Sequence, residues 1–124
     1  KIVGTLHKNM NMSHVEECTL EVNPDDVTKE KLLAYKKLGV NRLSIGIQTF
    51  NDDALSHMNR SHTAQQSLIA LKEIAQIGFE TSSVDLIYAL PWHTHDTLKK
   101  DMDIFAKLEI NHISAYSLTI EDNT

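Results

Sequence analysis

One pattern in this chain recurs and limits its fold more than any other: an apolar helical run stops at a glycine, and a hydrophobe follows at once. It occurs at Leu38-Gly39-Val40-Asn41-Arg42-Leu43 and at Ile77-Gly78-Phe79-Glu80-Thr81-Ser82, with a related third copy at Leu108-Glu109-Ile110-Asn111-His112-Ile113. Glycine just past a helical run is the residue of a left-handed cap, so each copy marks a helix ending and a strand beginning. The third copy carries Glu109 where glycine would relieve strain, and it should end in a different or costlier cap. Units of roughly thirty residues that alternate strand and helix are βαβ units, whose strands run parallel. Parallel α/β folds keep their chemistry at the C-terminal ends of the strands. Polar residues at those ends are therefore the candidates for function.

Local patterns place the elements. Ile2, Val3, Leu6 and Met10 fall at helical spacing, as in the tail of a crossover helix. Cys18, Leu20 and Val22 alternate with Glu17, Thr19 and Glu21, a period of two that marks a strand ending at Asn23-Pro24. Thr28 can cap a helix over Lys29 to Leu38, and Arg42 to Ile47 reads as the second strand, tipped by Gln48. Thr49 to Ser61 reads as a loop with a short helical turn. Thr63-Ala64-Gln65-Gln66 then supplies a capping box before the apolar stripe Leu68, Leu71, Ile74 and Ile77. Ser83 to Ile87 is the third strand. Thr94 caps a helix with Leu98, Met102, Phe105 and Leu108 on one face, and His112 to Leu118 is the fourth strand. Four parallel strands with crossover helices form either an open sheet or an arc of a barrel, and periodicity alone does not decide between them.

Bulk properties narrow the partners. A formal net charge of -5 leaves no basic stripe to neutralise phosphates, which argues against nucleic acid. The apolar runs are only a few residues long, too short for a membrane-crossing segment. A single cysteine excludes an internal disulfide framework and fits a reducing cytoplasm. The chain opens on Lys1 within a helical pattern, as a piece of something longer does.

In order, the strand ends carry Glu21 and Asn23, then Gln48, then Asp85 and Tyr88, then Tyr116, Ser117 and Thr119. Glu21 and Asp85 lie in apolar strands, where a carboxylate without a partner is costly, so each needs a counter-group or a ligand. Arg60 is the nearest candidate cation. The plainer alternative is that these groups cap helices and satisfy backbone donors. His93-Thr94-His95 and the His57/His62 pair have no clustered third ligand and read as surface or capping histidines rather than metal or haem ligands. No metal site and no catalytic residue is assigned. Asp52-Asp53 and Lys99-Lys100 read as solvated helix faces.

Five motifs together carry a resemblance: Glu21-Val22-Asn23-Pro24, Gly39 through Phe50, Arg60-Ser61-His62, Asp85 through Pro91, and Tyr116-Ser117-Leu118-Thr119-Ile120-Glu121. From about Glu17 onward the chain resembles the oxygen-independent coproporphyrinogen III oxidase family of radical S-adenosylmethionine (SAM) proteins. Its Leu118-Thr119-Ile120-Glu121 ending is more similar to the haem chaperone, HemW-like branch than to the oxidase branch. The resemblance implies an arc of a partial (β/α)6 TIM-like barrel, with residues 1–124 as the central part of that domain. It implies that Glu21, Gln48, Arg60 and Asp85 contact SAM and that Ile87 packs against the nucleoside. Haem or a porphyrinogen is the implied further partner, and a non-catalytic haem-binding module is the reading from another class. An unrelated barrel enzyme acting on phosphorylated metabolites is disfavoured, because Ser117 to Thr124 contains no glycine-rich phosphate loop.

Two departures from the family pattern fall in one loop: Ala89 stands where the family has glycine, and Trp92-His93 where it has a Gly-Gln pair. A third is an absence. The family's [4Fe-4S] cluster needs three closely spaced cysteines, and Cys18 alone reads as a small buried hydrophobe. The cluster loop is expected before Lys1 and a further domain after Thr124. By itself the chain is then expected to be catalytically inert, to bind SAM weakly at best, and to self-associate through exposed strand edges.

Overall fold

The computed structural model describes residues 2–108 and 110–119. In chain order the elements are α1 (Ile2–Asn9), β1 (Thr19–Val22), a 3-10 turn (Pro24–Asp26), α2 (Lys29–Lys37), β2 (Arg42–Gln48), α3 (Asp52–His57), α4 (Ala64–Ile77), β3 (Thr81–Tyr88), α5 (His95–Phe105) and β4 (His112–Ser117). The strands form one parallel sheet in the order β1-β2-β3-β4. Sequential parallel strands joined by helices on one face are the winding of a barrel arc, and β1 and β4 are its open edges.

The caps expected from local chemistry are present. Thr28 and Thr94 accept from the backbone N–H groups of Lys31 and Thr97, and Thr63 with Gln66 forms the full reciprocal box at the start of α4. Gly39 and Gly78 adopt φ of +90° and +72°, the left-handed conformation that lets α2 and α4 stop and turn into strands. After Gly39 the paired bonds Val40 N–H to Tyr35 O and Gly39 N–H to Lys36 O make a Schellman motif. The third copy differs. Helix α5 ends at Phe105 on Ala106, in the ordinary right-handed region, and Glu109 itself lies outside the described residues.

Alternate residues of β2 and β3 point to the helices. Leu43, Ile45, Ile47 and Val84 are fully buried there against Leu32 of α2, Leu71 and Ile74 of α4 and Phe105 of α5. Cys18 is half-buried at the margin of this core. The short helical turn expected between Thr49 and Ser61 is α3, capped by the Asn51 side chain accepting from Ala54 N–H, an Asx residue before Asp-Asp being a strong start signal. Asp52 is exposed, as expected of a solvated helix face, and in addition its Oδ1 accepts from Ala64 N–H at 2.7 Å and satisfies the first turn of α4. Among the described residues no helix is long and apolar enough to cross a membrane.

Candidate functional site

Register decides which side chains meet. Glu21 pairs with Ser44 and Ser44 with Ser83, so these three share the sheet face turned away from the helices, with Asp85 two residues further along β3 on the same face. At the C-terminal ends of the strands this face opens into a cleft of about 320 Å³ lined by Glu21, Val22, Asn23, Ser44, Gly46, Gln48, Arg60 and Asp85. Four of the five residues singled out in the sequence, Glu21, Gln48, Arg60 and Asp85, thus line one cleft. Ile87 does not line it. It lies half-buried beyond Asp85, in register with Tyr116 of β4.

Local chemistry aims each group. Arg60 follows α3 directly: Asn59 takes φ +54°, Asn59 N–H donates to Ser56 O, and Arg60 N–H donates to Leu55 O at 2.9 Å. This is the same Schellman closure as at Gly39, with asparagine tolerating the left-handed position. Asp85 sits at the end of a ladder in which Arg42 Nη2 donates to Ser83 Oγ (3.2 Å), Ser83 Oγ to Ser44 Oγ (3.0 Å), and Ser44 Oγ to Asp85 Oδ1 (3.3 Å). A guanidinium only donates and a carboxylate only accepts, so the direction of the ladder is set at both ends. Burial, with the Glu21 charge adding to it, raises the Asp85 pKa from its ordinary value, against opposing contributions from the Ser44 and Ser114 hydrogen bonds and the Arg42 charge. The side chains of Glu21, Gln48 and Arg60 take no hydrogen bond or ion pair from the described residues.

Ser44 and Gly46 are cleft residues that strand-end reasoning missed. Both fall on the inward parity of β2, and alternation with the buried Leu43, Ile45 and Ile47 is the signal that finds them. The histidines also need revision. His62 is a buried connector rather than a surface or capping residue: it is 3% exposed and its Nε2 lies 3.2 Å from Ile47 O. His57 pairs with Asp53 O and stacks on Trp92, with ring centroids 5.0 Å apart. His93 has both ring nitrogens buried without a partner among the described residues. Among those residues no group of three or more His, Cys, Asp or Glu side chains is placed to hold a metal ion. Ala89 adopts φ +58° and bears the strain that glycine would avoid.

A larger hollow of about 650 Å³ lies at the other end of the sheet, lined by Leu71, Ile74, Phe79, Leu108 and Ile110 among others. Lys72, Glu80, Ser82, Lys107 and Asn111 also border it, but it lies at the N-terminal ends of the strands, whereas parallel α/β folds bind ligands at the C-terminal ends, which is why the smaller cleft is the candidate.

Residues 2–105 match the radical SAM superfamily. The chain is 36% identical over its whole length to the heme chaperone HemW of Lactococcus lactis, of which it covers 33%. It is 40% identical over 112 residues, 90% of this chain and 30% of the relative, to the heme chaperone HemW of Bacillus subtilis. It thus spans about a third of the length of the curated relatives it matches. Coproporphyrinogen III oxidase (HemN) from Escherichia coli, a radical SAM enzyme, superposes with a TM-score of 0.87 at 27% identity, over 95% of this chain and 27% of that one. The parallel sheet is accordingly an arc of a radical SAM barrel of the HemN/HemW kind. An iron–sulfur cluster does not fit the residues present: Cys18 is the one cysteine, and it precedes β1, at the end of the strand opposite the cleft.

Proposed function

The chain belongs to the radical SAM superfamily, and from that premise we propose that it supplies the SAM-binding strand ends of a HemW-like protein that handles haem in the cytoplasm. Residues 1–124 then form the central part of the barrel domain, and the cluster cysteines belong to the rest of the intact protein. The observation that carries the reading is the cleft itself, where an amide, a guanidinium and a carboxylate without partners among the described residues meet Asp85. That set suits a zwitterion bearing hydroxyls. Arg60 forks onto a carboxylate, Glu21 and Asp85 accept from an ammonium group or ribose hydroxyls, and the Gln48 amide bridges two polar edges. Ile87, further along the same face, offers apolar surface to a nucleoside. A bound SAM, with the cluster, supplies the radical chemistry of the superfamily; the side chains here bind and orient it.

SAM titration of the intact, cluster-loaded protein tests the reading. Arg60→Ala and Asp85→Ala are each expected to weaken binding, and unchanged affinity in both removes the site. Haem retained without coproporphyrinogen turnover supports the chaperone branch, whereas conversion of propionates to vinyl groups assigns the oxidase branch. Expressed alone, the chain pairs through the open edges of β1 and β4, which sedimentation reads as a mass above that of the monomer.

A further inference from the structure

The end of β2 holds strain that ligand contacts by themselves do not explain. Gln48 has φ +69°, and Thr49 N–H donates to Ile47 O at 2.9 Å across it. A three-residue turn with positive φ is the rarer, strained kind of γ-turn, and here its central residue is not glycine. The Gln48 side chain also folds tightly over Gly46, where an added Cβ would lie 3.0 Å from Gln48 Nε2.

Two buried side chains from distant elements grip this turn. Asp101 of α5 is 2% exposed and occupies the apolar face shared by Leu98 and Phe105, three residues after the first and four before the second. Its Oδ2 accepts from Thr49 Oγ1 at 2.6 Å and its Oδ1 from Phe50 N–H at 2.9 Å, while Thr49 Oγ1 accepts in turn from Asn51 N–H. From the other side His62 meets Ile47 O. A carbonyl only accepts, so Nε2 carries the proton. Both residues after Gln48 and the one before it are thus tied to groups outside the strand.

We propose that Asp101 and His62 are positioning residues that clamp the strained turn and keep the Gln48 amide aimed into the cleft. A plain helix-to-loop staple would need neither the positive φ at a glutamine nor the space left by Gly46. The clamp holds a conformation that the chain leaves when released. This inference rests on the reading of Gln48 as a SAM contact, and its test separates the two.

Four forms of the intact, cluster-loaded protein are compared for SAM affinity and for Tm: wild type, Gln48→Gly, Asp101→Asn, and the double variant. Gln48→Gly is expected to raise Tm by about 2 °C, because glycine accepts the positive φ, and to weaken SAM about tenfold. Asp101→Asn, with glutamine still in place, is expected to weaken SAM by roughly fivefold, to have no further effect on affinity once Gln48 is gone, and to shrink the Tm gain of the glycine. If Gln48→Gly weakens SAM but Asp101→Asn moves only Tm, the clamp is wrong and the SAM site stands. If Gln48→Gly leaves SAM affinity unchanged, the contact at Gln48 is wrong, and the clamp is decided by Tm alone: non-additive shifts support it, additive shifts overturn it. Should Asp101→Asn not fold, Thr49→Val, which removes the gripped hydroxyl and keeps the shape, takes its place in the same comparison.

Discussion

The two ends of the sheet use the same kinds of polar residue in opposite ways. At the N-terminal end the Asn41 amide is fully engaged: its Oδ1 accepts from Cys18 N–H at 2.7 Å, and its Nδ2 donates to Glu16 O and Glu80 Oε2. Lys36 beside it donates to the last carbonyls of α4, at Ile77 and Gly78. At the C-terminal end, Gln48 and Arg60 have comparable groups with no protein partner among the described residues, and Asp85 is held only through hydroxyls. The N-terminal end completes its own hydrogen bonds and so contributes stability. The C-terminal end leaves donors and acceptors open among the described residues, which is what the proposed ligand site requires.

Substitutions at the two ends should therefore separate stability from binding. The largest effect is expected from Asn41→Ala, which strands three partners at once and should cost about 2 kcal/mol or more of stability, read by denaturant unfolding, with SAM affinity of the folded protein unchanged. Arg60→Ala is the mirror case: calorimetric titration should show SAM binding weakened by roughly 2 kcal/mol, the scale of a charge-assisted pair, while Tm barely moves. Equal loss of both properties in either variant would erase the distinction between the ends. Ala89→Gly should sharpen it by raising thermal stability about 1 kcal/mol, since glycine takes φ +58° without strain.

The smallest effect belongs to Asp85→Asn. A carboxyl whose folded pKa is raised favours its protonated form, so the stability it contributes is complete below the ordinary carboxylate range and is lost as pH rises through the folded value. Asparagine should then stabilise the ligand-free protein by about 0.5 kcal/mol at neutral pH, a figure discounted for solvent screening, with the gain vanishing in acid. A melting series from acid to neutral pH reads it, and a gain that persists in acid would remove the electrostatic cause.

Gly39, Gly78, Thr63 with Gln66, and Thr94 were legible because a cap is settled within one helical turn of its own residues. So were the parallel class, the strand ends and the motifs shared with the radical SAM family. Other features were not legible locally. Ser44 and Asp85 lie 41 residues apart and meet only through strand register, and Thr49 and Asp101 lie 52 apart and meet only through the packing of α5. His62 had no helical or strand pattern to mark it as buried, and the acid at position 101 was masked by its apolar neighbours, although its place between Leu98 and Phe105 was a readable warning. Which elements form, and where each one stops, is written in the order of the residues, because propensity, capping and alternation act over a few positions. That three strand ends and the Arg60 loop share one cleft, and that Gln48 is held under strain there, emerges only in the folded molecule, because both follow from side chains brought together by the burial of the core.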